Sequence, residues 1–205
     1  MNPLALALAA AVLTVGLDGC SALESQTESQ PSRSYREILD RWTDGEREYD
    51  QFDTRLYVWA TYKSGPFREA YVAEYARIFR LPEPEREAML ARETAALEQF
   101  HDFVLSAYTP VRQSGDFLTK TGIWRLYLEG PAGTSVPAAR VERLSQPLPV
   151  LSTFFPYVDR WSRVFLVRFP KRAADGDEVL PSPDTDPFRL VVASTEARAV
   201  LAWGR

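Results

Sequence analysis

The chain has 205 residues, 12% of them aromatic, and a formal net charge of −4. Such an aromatic content serves a filled interior rather than a disordered polymer, and an acidic balance with no basic block argues against nucleic acid as a partner. With one cysteine and one histidine, the chain cannot form an internal disulfide, a multi-cysteine metal site or a two-histidine metal centre.

Residues 4–17, LALALAAAVLTVGL, are an uncharged apolar run of 14 residues. That is shorter than the roughly 20 residues a membrane-spanning helix needs, and it suits the hydrophobic region of an export signal. The run leads into Leu17-Asp18-Gly19-Cys20. Leu17, Gly19 and Cys20 resemble the lipobox of bacterial lipoproteins, in which a leucine stands three positions before the modified cysteine. Asp18 stands where that family usually carries a small or uncharged residue. The resemblance covers residues 1–20 only. It implies cleavage before Cys20, a thioether-linked diacylglycerol on its sulfur and an acyl chain on its new amine, which together meet the two-signal requirement for stable anchoring. With Ser21 and Ala22 after the cysteine, it further implies the outer membrane, facing the periplasm. Losing residues 1–19 removes one acid and no base, leaving −3.

Residues 21–34, SALESQTESQPSRS, have almost no large apolar side chains, so residues 20–34 are expected to form a lipidated tether. Residues 35–205 then form a single β-rich domain. Tyr35, Ile38, Leu39 and Trp42 have helical spacing within residues 35–50, and Asp44-Gly45 ends that stretch. Thr54 to Tyr62 is dense in β-branched and aromatic residues and reads as a strand buried on both faces. A helical hairpin follows within residues 66–100: Phe67 to Phe79 and Glu85 to Phe100, broken at Leu81-Pro82-Glu83-Pro84. Further strands are expected at 102–108, 123–128, 139–144, 163–169, 188–194 and 198–203, separated by turn residues such as Asp175-Gly176-Asp177. Seven short alternating strands predict an immunoglobulin-like antiparallel β-sandwich with the helical hairpin inserted after the first strand, although the Cys–Trp–Cys pattern is missing. The alternative is an α+β layer, a curved sheet with helices on one face.

No catalytic constellation emerges. His101, at the change from helix to strand, is placed to bond the last helical carbonyls, and no G-x-S-x-G elbow or phosphate loop accompanies it. The acids at 40, 44, 46, 48, 50 and 53 alternate with Arg41, Arg47 and Arg55 as a solvated face does. Asp175, Asp177 and Glu178 lack the ligand ladder of a calcium loop. No metal site and no cofactor is expected beyond the covalent lipid on Cys20. The best candidate surface is Phe154, Phe155 and Tyr157 followed by Arg160 and Trp161, because Tyr, Trp and Arg dominate binding hot spots. The competing reading makes these rings core that plugs one end of the sandwich, with the prolines at 147, 149 and 156 keeping the stretch out of regular structure. The expected function is therefore that of a non-catalytic, membrane-anchored envelope lipoprotein that binds or scaffolds a protein or glycan partner. A carrier of lipid or another apolar ligand, and a carboxylate-dependent glycan hydrolase, are the alternatives.

Overall fold

The computed structural model of the chain describes residues 30–110, 117, 122–131 and 133–204. Cys20 and the apolar run before it lie outside the described residues. Pro31–Arg205 forms one unit, and its first helix begins within the stretch read as tether. Helix α1 (Arg33–Arg41) is capped by Ser32, whose Oγ accepts a hydrogen bond from the Tyr35 N–H at 3.2 Å. Ser32 is itself clamped. Its N–H donates to Glu74 Oε1 at 2.7 Å and its hydroxyl to Glu74 Oε2 at 2.9 Å. Burial opposes ionisation of Glu74, but hydrogen bonds from Arg77 and Ser32 outweigh it and hold the pKa below the ordinary carboxylate value.

The helical stretch, expected to end at Asp44-Gly45, stops at Arg41, and the rest of residues 35–50 is strand β1 (Thr43–Asp50). The apolar periodicity that sustains α1 ends at Trp42, so nothing beyond it could pack as a helical face. β1 pairs with β2 (Asp53–Tyr62) across a two-residue turn in which Gln51 adopts φ 58°. Gly45 faces Trp59, and a Cβ built there would lie 2.3 Å from the indole ring. The glycine is what lets that ring lie over the strand.

Helix α2 (Gly65–Phe79) is capped by Ser64, carries Pro66 in its first turn, and ends at Arg80 in the left-handed conformation. Helix α3 (Glu83–Gln99) runs directly into β3 (Phe100–Tyr108). Next come β4 (Arg125–Glu129), β5 (Ser135–Pro137), β6 (Arg140–Arg143) and helix α4 (Leu148–Phe154). The chain closes with β7 (Arg163–Pro170), β8 (Phe188–Ala193) and β9 (Arg198–Trp203). Helix α4 corrects the expectation of irregular structure after residue 147. Pro147 caps it and Pro149 sits in its first turn, where a missing N–H costs nothing.

The strands form two antiparallel sheets, β1-β2-β3-β7-β6 and β5-β4-β8-β9. The fold is mainly β, a sandwich with a helical insertion. Nine strands are described rather than the seven expected, β1 and β5 being the additions. Without those two, the order is first-second-fifth-fourth in one sheet and third-sixth-seventh in the other. Helices cover the outer face of the larger sheet.

β3 is therefore buried on both sides. His101, Phe103 and Leu105 point toward the smaller sheet, while Asp102, Val104 and Ser106 point toward the helices. Between the sheets, Phe103 meets Trp203 at 5.4 Å, Tyr62 meets Phe188 at 5.1 Å, and Phe188 stacks on Trp203 at 5.1 Å. Each such buried ring contributes about 2–3 kcal/mol. Along one side, β1 carboxylates close the sandwich. Asp44 Oδ2 accepts from the Ala202 N–H at 2.7 Å and Glu46 accepts from the Val200 N–H, so two acids take up donors of edge strand β9. Asp44 and Glu46 are thus edge caps rather than part of a solvated charge run.

Candidate functional site

Two polar regions stand out, one buried and one open. The buried one lies between the helices and the larger sheet. Arg68 of α2 donates from Nε to the Lys63 carbonyl at 2.8 Å, from Nη2 to Asp102 Oδ2 at 2.9 Å, and from Nη1 to Glu93 of α3. Lys63 Nζ donates to Glu93 Oε1 at 2.9 Å. Burial works against the charge on Glu93, yet Lys63 and Arg68 hold its pKa below the ordinary value. Arg68 and Asp102 are 2% and 1% exposed, so the centre of the network is closed, while Lys63 and Glu93 at its margin are partly exposed. It fixes the helical hairpin to β2 and β3.

His101 sits at the same end of β3 on the opposite face. Its Nδ1 lies 3.0 Å from the Tyr62 hydroxyl and 3.4 Å from Lys171 Nζ. It is a strand residue with cross-strand partners, not the cap of helical carbonyls that its position suggested. Burial, then the Lys171 charge, push its pKa down to about 3. The ammonium of Lys171 can only donate, which assigns the ring proton to Nε2, an atom without a partner among the described residues. An imidazole with so low a pKa is a weak general base near neutral pH.

The open region lies at the other end of the larger sheet. Asp159 organises the loop before β7: its Oδ1 accepts from the N–H groups of Trp161 and Ser162, both at 2.8 Å, and Ser162 Oγ donates back to the Asp159 carbonyl at 3.0 Å. One oxygen of the carboxylate is thereby engaged by backbone, and Arg160 and Trp161 are turned outward, Trp161 being 71% exposed. They border a groove of about 540 Å³ with Tyr108 at the end of β3, Arg143 at the end of β6, and Arg163 at the start of β7. Among the described residues no carboxylate pairs with Arg143 or Arg160.

An aromatic row continues from this groove. Tyr108 packs on Tyr57 at 5.9 Å, Tyr57 on Tyr49 at 5.8 Å, and Arg47 lies over the Tyr57 ring at 5.3 Å. It leads to the turn of the β1–β2 hairpin, where Phe52 is completely exposed.

The structure divides the aromatic segment singled out in the sequence. Phe154 and Phe155 are buried, but against Tyr71 of α2 and its neighbours rather than at the end of the sandwich. Tyr157 is half-buried; its ring stacks on Trp59 at 6.1 Å and its hydroxyl lies 2.8 Å from Thr61 Oγ1. Burial pushes the Tyr157 pKa up, so it stays a neutral phenol. Only Arg160 and Trp161 remain on the surface. Tyr108, Arg143 and Arg163, which join them, were not singled out in the sequence, since only strand pairing brings those three strand ends together.

The turn at Asp175–Asp177 is held by its own backbone and by the Arg172–Glu178 pair at 3.0 Å. No helix among the described residues is long and apolar enough to cross a membrane. Comparison with protein-family profiles, with curated proteins and with solved structures finds no match to this chain.

Proposed function

We propose that this chain is a non-catalytic lipoprotein of the bacterial envelope, anchored through Cys20, whose sandwich body binds another envelope component at its arginine-rich, aromatic end. The observation that carries the reading is the Asp159-organised loop, which holds Arg160 and Trp161 outward beside Arg143. Tyr, Trp and Arg concentrated on one preset surface are the composition of a binding hot spot. The lipobox-like residues Leu17, Gly19 and Cys20 support the anchor. The rings packed between the sheets leave the carrier reading without comparable support.

Two measurements test this proposal. Cys20→Ser is expected to move the protein from the membrane to the soluble fraction, and retention in the membrane would remove the lipid anchor from the reading. A photo-crosslinking amino acid at position 161 in intact cells is expected to give a discrete adduct. The same probe at Glu87, exposed on α3, should give none. Adducts of equal yield at both positions, or an adduct at 161 unaffected by Arg143→Glu with Arg160→Glu, would overturn the binding surface.

A further inference from the structure

We infer that the groove at the ends of β3, β6 and β7 is a subsite for an anionic glycan: Arg143 and Arg160 pair with its carboxylate or phosphate groups, and Trp161 and Tyr108 stack on its sugar rings. The inference rests on the binding function proposed above and specifies the ligand.

Charge comes first. The chain is net acidic, yet two acids toward this end have partners of their own. Asp159 accepts two backbone N–H groups, and Asp50 pairs with Arg55 at 2.6 Å. Arg143 and Arg160 have no such counter-charge among the described residues, and a planar guanidinium suits the paired oxygens of a carboxylate or phosphate.

Shape comes next. A volume of about 540 Å³ falls in the range of small-ligand sites, ~300–1,000 Å³. The backbone that carries the strongly exposed indole is held by the Asp159 carboxylate, so the loop itself needs little ordering on binding.

Topology then selects among anionic partners. An acidic peptide binds most readily by adding a strand to a sheet edge. The groove instead lies across strand ends: β3 and β7 are interior strands, and of edge strand β6 only its last residue, Arg143, reaches the groove. A flat anionic bilayer is disfavoured as well. In the β2–β3 register Tyr57 pairs with Tyr108, so Asp53–Leu56 and the turn run on beyond that partner and keep a flat surface from reaching the groove. A short chain of acidic sugars meets neither obstacle.

Calorimetry on the detergent-solubilised full chain tests this, with a galacturonic acid tetrasaccharide, the neutral galactose tetrasaccharide and glucose 1-phosphate as probes. Polyglutamate and phosphatidylglycerol vesicles are the rival ligands. The expected result is saturable binding of the uronate or the sugar phosphate, the preferred one naming the acidic group. Affinity should weaken several-fold with added salt and fall at least fivefold in Arg143→Ala, Arg160→Ala and Trp161→Ala, while Trp161→Phe should retain most of it. Equal binding of the neutral tetrasaccharide, or acidic binding indifferent to these substitutions, overturns the inference. Binding of polyglutamate or vesicles alone, through the same residues, overturns the glycan and leaves the binding function standing. Failure of every probe together with loss of the adduct at position 161 removes both.

Discussion

At the scale of single residues, His101 makes the clearest prediction. Its folded pKa of about 3 lies below the ordinary 6.5, so the fold holds the neutral ring while the unfolded chain accepts a proton. Stability is then fully present above pH 6.5 and falls by about 1.4 kcal/mol per pH unit as pH drops below it. Glu74 and Glu93, both lowered, add their own losses only below about pH 4.5, which leaves pH 6.5 to 5 as the histidine's window. Urea unfolding at pH 7, 6 and 5 should show this slope in the parent chain and its absence in His101→Gln. Parallel slopes in both would refute a buried neutral imidazole. The sequence placed His101 correctly beside a helix end but could not supply its partners, since Tyr62 is 39 residues away and Lys171 is 70. The same limit split the aromatic segment. Periodicity cannot separate Phe154, whose neighbours come from α1 and α2, from Trp161, whose outward pose depends on the Asp159 carboxylate.

At the scale of elements, β1 is informative because its inward side chains are acids. A strand normally announces itself by alternating apolar residues; here the positions facing the smaller sheet are Asp44 and Glu46, and they satisfy backbone rather than fill space. That is why β1 was illegible in the sequence while β2, β3 and β7 to β9, dense in Val, Leu, Phe and Trp, were plain. Replacing either acid by alanine removes a hydrogen bond from a charged acceptor, worth about 1.5–3 kcal/mol. Hydrogen exchange should quicken at the Val200 amide in Glu46→Ala and at the Ala202 amide in Asp44→Ala. The Leu201 amide, which alternation turns toward β8, should change only with global stability. A Val200 or Ala202 amide protected to the same degree in parent and variants would show that the carboxylates do not cap the edge. Loss of both acids also bares part of edge strand β9, so the double variant should self-associate more readily in light scattering.

At the scale of the whole molecule, the helical hairpin was foreseen at its place in the chain, after the first heavy strand. Strand order was not, because the pairing of β3 with β7 joins residues about sixty positions apart, and no local pattern encodes it. The arginine-rich groove inherits that obscurity, being assembled from three strand ends. By contrast, Pro31–Arg205 is a compact unit, with a core cluster that draws, among the described residues, on Tyr35 onward. A chain beginning at Pro31 is expected to fold with a melting temperature within about 2 °C of the full chain, checked by circular dichroism; a large drop would show that the preceding residues contribute to the fold.

The clamp of Ser32 on Glu74 then acquires a mechanical meaning. If the anchor holds one end of the molecule and a bound glycan pulls at the groove, tension enters the body at Ser32. The load falls on three members in series: two hydrogen bonds to one carboxylate, the Arg77 guanidinium that braces it, and the seating of α1 against α2. Because this helix precedes β1 in the chain, the clamp and the buried face of α1 meet the load before the sandwich that carries the groove.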